Sequence, residues 1–109
     1  MEIGSATGVL SAYLSKKYQV ISVDNSSTMI SKAKENYPSI DFQVADASNL
    51  PFKDEVFSVV VASSLINLVE ERQEILNEML RVCKRDGRVL LLFPLEGFSD
   101  DALLDFLQN

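Results

Sequence analysis

Short runs of β-branched and other apolar residues alternate along this chain with stretches in which apolar residues return at helical spacing. That alternation is the pattern of βαβ units, in which helices cover both faces of a parallel sheet. Val9 to Lys17 sets Val9, Leu10, Tyr13 and Leu14 on one helical face, so the spacing predicts a first helix there. Tyr18 to Val23 (YQVISV) reads as a strand that stops at Asp24, and Asn25 and Ser26 can cap a second helix carried by Met29, Ile30 and Ala33. Pro38 closes that unit. Ile40 to Val44 is a short third strand, and Pro51 with Lys53 and Asp54 marks an exposed connection. Phe57 to Ala62 (FSVVVA) suits a central strand buried on both faces. Ile75, Leu76, Met79, Leu80 and Cys83 restore helical spacing, with Glu70-Glu71-Arg72 as a solvated helix start and Gly87 as a stop. Arg88 to Phe93 (RVLLLF) is the last clear strand, and Asp101 to Gln108 begins one more helix. With Met1-Glu2-Ile3 as a reduced first strand, the expected fold is α/β: a doubly wound, mostly parallel sheet of about five strands.

The length of 109 residues holds one domain, residues 1–109, and leaves no room for a second. Hydrophobic residues make up 47% and charged residues 24%, the balance of a soluble globular protein rather than a disordered chain. A formal net charge of −6 and the lack of a long basic run oppose a nucleic-acid partner and suit a neutral or cationic small ligand. There is no histidine, so zinc chemistry and serine–histidine catalysis are not expected, and no metal site is assigned. Cys83 is the sole cysteine, so no intrachain disulfide can form and a cytoplasmic location is expected. It reads as a small core residue rather than a nucleophile, because it sits on an apolar helical face without a basic neighbour. The N-terminus shows no leader pattern, and no run approaches the roughly 18 apolar residues of a membrane span, so no membrane partner is expected.

The first stretch with chemical content is the small-residue loop Glu2-Ile3-Gly4-Ser5-Ala6-Thr7-Gly8, between a strand end and a helix start. Glycines there let backbone approach a ligand, although a tight strand-to-helix turn needs small residues for packing as well. Asp24 ends the next strand, about 20 residues on, where an acid can accept hydrogen bonds from two ribose hydroxyls; capping the following helix is its alternative use. Asp46 follows the third strand. Ligands of open parallel sheets bind beyond the carboxyl ends of the strands, so Gly4, Asp24 and Asp46 are expected to converge. A nicotinamide-dependent oxidoreductase is the rival, but its dinucleotide site wants Gly-x-Gly-x-x-Gly, whereas three residues separate Gly4 from Gly8.

The loop from Glu2 to Gly8 resembles motif I of class I S-adenosylmethionine-dependent methyltransferases, usually acidic-x-Gly-x-Gly-x-Gly, with Ala6 in place of the middle glycine. Asp24-Asn25-Ser26-Ser27-Thr28-Met29, continuing to Ala33-Lys34, is similar to the family's Asp-x-Ser-x-x-Met-x-x-x-Ala-Lys/Arg block. Asp46-Ala47, Leu50-Pro51-Phe52 and Phe57 resemble its Asp-Ala, Leu-Pro-Phe and Phe-Asp stretch, with Ser58 departing. Lys84-Arg85-Asp86-Gly87-Arg88 resembles its Leu-Lys-Pro-Gly-Gly-Arg connection, with Arg85 and Asp86 departing. The resemblance covers nearly residues 1–95, is of the small-molecule methyltransferase kind, and leaves 96–109 as a terminal helix.

The resemblance implies a Rossmann-like fold, S-adenosylmethionine as cofactor and a small-molecule methyl acceptor. It implies that Gly4, Ala6 and Gly8 shape the methionine-end pocket together with Ser5, and that Glu2 helps hold the ligand's ammonium. Asp24 would bind the ribose hydroxyls beside Asn25, and Met29 would pack on adenine. Asp46 would accept from the adenine amino group near the Ala47 backbone, with Ser63 lining the pocket after the fourth strand. A sulfonium already activates its methyl group, so the protein mainly aligns the reactants and excludes water, and no catalytic residue is assigned. Family members usually carry helices before motif I and two further strands after the fifth; by that measure the chain is a truncated core, and a non-catalytic cofactor-binding module is the alternative. The absent outer strands would leave strand 88–93 as an apolar edge, the expected seam of a homodimer.

Overall fold

The computed structural model describes residues 1–4, 6–63 and 72–92. In chain order its elements are β1 (Glu2–Ile3), α1 (Val9–Leu14), β2 (Ile21–Asp24), α2 (Ser27–Asn36), β3 (Asp41–Val44), β4 (Phe57–Ser63), α3 (Arg72–Val82) and β5 (Cys83–Leu92). Among the described residues every strand pairing is parallel and the sheet order is β3-β2-β1-β4-β5. The chain winds outward from β1 through β2 to β3, then crosses to the other side for β4 and β5. The order therefore reverses at β1, which is where open α/β sheets bind ligands.

Side chains alternate between the two faces of a strand, and the register sorts them. Phe42, Ser22, Glu2 and Val61 lie side by side across four strands. Val23, Ile3 and Ala62 form the neighbouring row on the opposite face. That second face carries the main core, where Ile3, Val23, Val60 and Ala62 pack with Ile75, Met79 and Val82 of α3. Met79 and Val82 are wholly buried. The first face carries a smaller cluster of Ile30, Ala33 and Phe42, flanked by Tyr37 and Ile40, which seats α2 on β3.

Ser26 sits in extended backbone and accepts from the Met29 amide at 3.2 Å, which fixes the start of α2. Asn25 precedes this cap and is exposed. Helix α1 stops at Leu14, and Ser15 to Lys17 continue as turns. Strand β2 begins only at Ile21, leaving Tyr18 58% exposed in the connection.

The largest departure from the expected elements lies at β5. Helical spacing carried Cys83 into the preceding helix, but α3 ends at Val82 and Cys83 is the first residue of β5, paired with Phe57. Two positions later on β4, Val59 pairs with Arg88, so residues 84–87 bulge out of the ladder. Gly87 therefore serves this bulge rather than stopping a helix. A Cβ there would stand 2.6 Å from the Ser58 carbonyl and 2.7 Å from the Cys83 Sγ. Phe93, the helix expected from Asp101, and Glu70 and Glu71 lie outside the described residues.

A second tie joins α3 to the connection before β4. The Arg81 guanidinium donates to both carboxylate oxygens of Glu78, at 2.6 and 2.9 Å, and to Asp54 at 2.8 Å. It also donates to the Phe52 carbonyl at 2.8 Å and the Leu50 carbonyl at 3.1 Å, while Glu78 accepts from the Leu50 amide at 2.8 Å. All five guanidinium donors are thereby used. Arg81 holds the Glu78 carboxyl below the usual glutamate range, the Leu50 amide helps, and partial burial opposes them.

Candidate functional site

The turn from β1 into α1 has to reverse direction within a few residues, and three of its residues adopt left-handed backbone to do so: Gly4 at φ 82°, Ala6 at φ 47° and Gly8 at φ 92°. Glycine enters this region freely, whereas an L-residue with a Cβ is strained there. The Gly4 amide donates to the Val23 carbonyl at 2.8 Å, so the start of the loop is held against the end of β2. Gly8 is buried and serves as the N-cap of α1. A Cβ on it would meet the Phe42 ring at 2.8 Å and the Tyr37 ring at 3.0 Å, so its small size is used to seat the loop on α2 and β3. Ser5 lies outside the described residues.

Asp24 closes β2 and ties this loop to the next helix. Its Oδ2 accepts from the Ala6 amide at 3.1 Å and its Oδ1 from the Ser26 amide at 2.9 Å, while its carbonyl accepts from the Ala45 amide at 3.0 Å. The capping use and the loop-facing use are both realised. A carboxylate has about four lone-pair directions, so two acceptor positions remain for a ligand's hydroxyl pair.

Asp46 follows β3 at the same edge and is exposed. Its Oδ1 accepts from the Ser48 amide at 2.9 Å and the Ser48 hydroxyl at 2.7 Å, and these two bonds pull its carboxyl below the usual aspartate range. Ala47 is buried against the main core, which sets the backbone beside Asp46. Met29 is 41% exposed on the first turn of α2, an apolar surface available to a flat ring. Ser63 ends β4 beside Leu92 of β5, and its side chain lies outside the described set.

Glu2 stands apart from these. It is 1% exposed, and its Oε1 accepts from the Ser11 hydroxyl of α1 and from the Ser22 hydroxyl of β2, the latter at 2.8 Å. The sheet thus brings Gly4, Ala6, Asp24 and Asp46 to one edge, with Glu2 beneath the loop. Ser11 and Ser22 were not legible beforehand, although a serine between Leu10 and Leu14 on an otherwise apolar helical face is the local signal.

The acceptor-rich edge and left-handed loop fit a ligand that offers hydroxyl and amino donors and carries positive rather than negative charge. Residues 1–91 match the family model of the methyltransferase domain. The chain belongs to the S-adenosylmethionine-dependent methyltransferases. It is 33% identical over 98 residues to a phosphatidylethanolamine N-methyltransferase of Cereibacter sphaeroides, covering 84% of this chain and 48% of that one. It is 34% identical to a ubiquinone/menaquinone biosynthesis C-methyltransferase of Desulfotalea psychrophila, over 84% of this chain and 39% of the relative. Among solved structures, PH0226 protein from Pyrococcus horikoshii OT3 superposes with a TM-score of 0.81 at 30% identity, over 98% of this chain and 52% of that one. The chain thus spans about half the length, or less, of these relatives.

Proposed function

We propose that this methyltransferase chain binds S-adenosylmethionine at the carboxyl edge of β1–β2–β3 and serves a transfer to a small-molecule acceptor. The observation that carries the reading is the Asp24 carboxylate, held between the Ala6 amide of the loop and the Ser26 amide of α2 with acceptor capacity left over. Asp24 would take the ribose hydroxyls, Met29 the adenine face, and Asp46 the adenine amino group beside the Ala47 backbone. Gly4, Ser5, Ala6 and Gly8 would shape the methionine end, with Glu2 toward its ammonium, and Asn25 and Ser63 would border the pocket. The bound cofactor supplies an activated methyl group, and the chain's part is to bind, orient and exclude water. The phospholipid and quinone named for the two relatives support a small acceptor rather than a macromolecule. A cytoplasmic location rests on the single cysteine.

Calorimetry with S-adenosylmethionine and S-adenosylhomocysteine tests the reading. Asp24→Ala should weaken both about ten- to a hundredfold, the cost of losing one partner of a charge-assisted pair. Equal affinity in wild type and variant would sink it. A homodimer through β5 belongs to the same proposal, because β5 is the edge strand among the described residues and Leu90 is 47% exposed on it. Light scattering that stays at the monomer mass as concentration rises would remove the dimer and leave the binding site standing.

A further inference from the structure

Among the described residues the buried polar side chains are Glu2, Ser11 and Ser22, and they form one cluster. Ser11 and Ser22 are both wholly buried, in α1 and β2 respectively, where apolar residues would pack more cheaply. Both hydroxyls converge on a single carboxylate oxygen, Glu2 Oε1, and their own Oγ atoms approach to 3.0 Å. Each serine has one hydroxyl proton, so directing both at Oε1 fixes the orientation of the carboxylate rather than merely tolerating it. Glu2 and Ser22 are register partners on adjacent strands, and Ser11 comes down on them from the helix that the left-handed loop feeds. The loop is therefore bracketed: Glu2 stands two residues before Gly4 and Ser11 three residues after Gly8.

We infer that Ser11 and Ser22 are positioning residues, orienting the Glu2 carboxylate for recognition of the cationic amino group at the cofactor's methionine end. The inference rests on the proposed cofactor site and adds to it two residues that touch no ligand themselves. A cluster kept only for stability would hold the loop and helix for every ligand alike. A cluster that orients Glu2 matters only to ligands that carry the amino group.

The test compares two nucleosides by calorimetry on the 109-residue chain. S-adenosylhomocysteine has the amino-acid end and 5′-methylthioadenosine lacks it. Ser11→Ala and Ser22→Ala, made separately, should each weaken S-adenosylhomocysteine about tenfold, the usual consequence of losing a hydrogen bond to a charged group, and leave methylthioadenosine unchanged. Retained methylthioadenosine binding also reports that the variant is folded. Parallel loss of both nucleosides would overturn the inference and leave a purely structural role. Variants that keep the wild-type preference for S-adenosylhomocysteine overturn it too, with the cofactor site intact. A wild-type chain that binds neither nucleoside would overturn the cofactor site and this inference together.

Discussion

On the β1–β2–β3 side of the sheet, α2 rests on a cluster of three buried residues, Ile30, Ala33 and Phe42, whereas on the β4–β5 side α3 sinks Ile75, Met79 and Val82 into a core that reaches across to Val23. The loop edge, the proposed ligand side, is organised by directional bonds: Asp24 to Ala6 and Ser26, and Glu2 to Ser11 and Ser22. Burial is non-directional and scales with area, so it anchors a fold without specifying loop geometry, while hydrogen bonds specify geometry at modest net stability. The α3 side thus supplies most of the buried core, and the loop edge supplies the shape of the proposed binding site.

The sharpest way to break that division is Met79→Ala. Met79 is wholly buried at the centre of the α3 face, and truncation should cost about 2 to 5 kcal/mol in urea unfolding. Affinity of the remaining folded molecules for S-adenosylhomocysteine should be unchanged. A fall in that affinity alongside stability would mean that the two sides are one mechanical unit.

Glu78→Gln probes the polar tie on the stable side and should cost about 1 to 2 kcal/mol near neutral pH. Glu78 titrates below its ordinary value of 4.5 because Arg81 and the Leu50 amide favour its charged form. As pH falls, the unfolded chain takes up this proton first. The stabilisation is therefore full above about pH 4.5, and is lost as pH drops through the lower folded value. Wild type should lose stability over that acid range more steeply than Glu78→Gln. Parallel pH profiles would show that the tie contributes nothing measurable. Asp46 is shifted in the same direction by Ser48 and remains in both proteins, so a common residual slope is expected.

What was legible in the sequence follows the same division. Short β-branched runs located β2 and β4, and the acid at the strand end located Asp24, because both signals are local. The β5 boundary was not legible: Cys83 stands four residues after Met79, in step with the helix, and only its pairing with Phe57 across the sheet places it in a strand. The Arg81 tie reaches residues 27 to 31 positions away, which no periodicity encodes. Ser11 and Ser22 were hidden for a related reason, since a hydroxyl on a buried face acquires meaning only beside Glu2.

The smallest effect, and the finest test of the comparison, comes from two residues strained in the same way on opposite sides. Ala6 in the loop has φ 47° and Glu55 in the connection before β4 has φ 54°. A left-handed L-residue costs about 1 to 2 kcal/mol relative to the right-handed region, and glycine removes that cost. Glycine also gives the unfolded chain more freedom, which returns about 0.4 to 1 kcal/mol of the gain. Ala6→Gly and Glu55→Gly should each therefore raise stability, by about 0 to 1.6 kcal/mol, or a few degrees in the melting temperature of a domain this size. They should part company on binding. Glu55→Gly lies in the stability half and should leave S-adenosylhomocysteine affinity unchanged. Ala6→Gly loosens the residue whose amide holds Asp24 Oδ2 at 3.1 Å, so part of its stability gain should be given back as weaker binding. Melting scans and calorimetry on both variants decide it. A lower melting temperature for Ala6→Gly would show that the left-handed loop is not strained at that residue, and equal affinities in the two variants would show that the Ala6 amide does not orient Asp24.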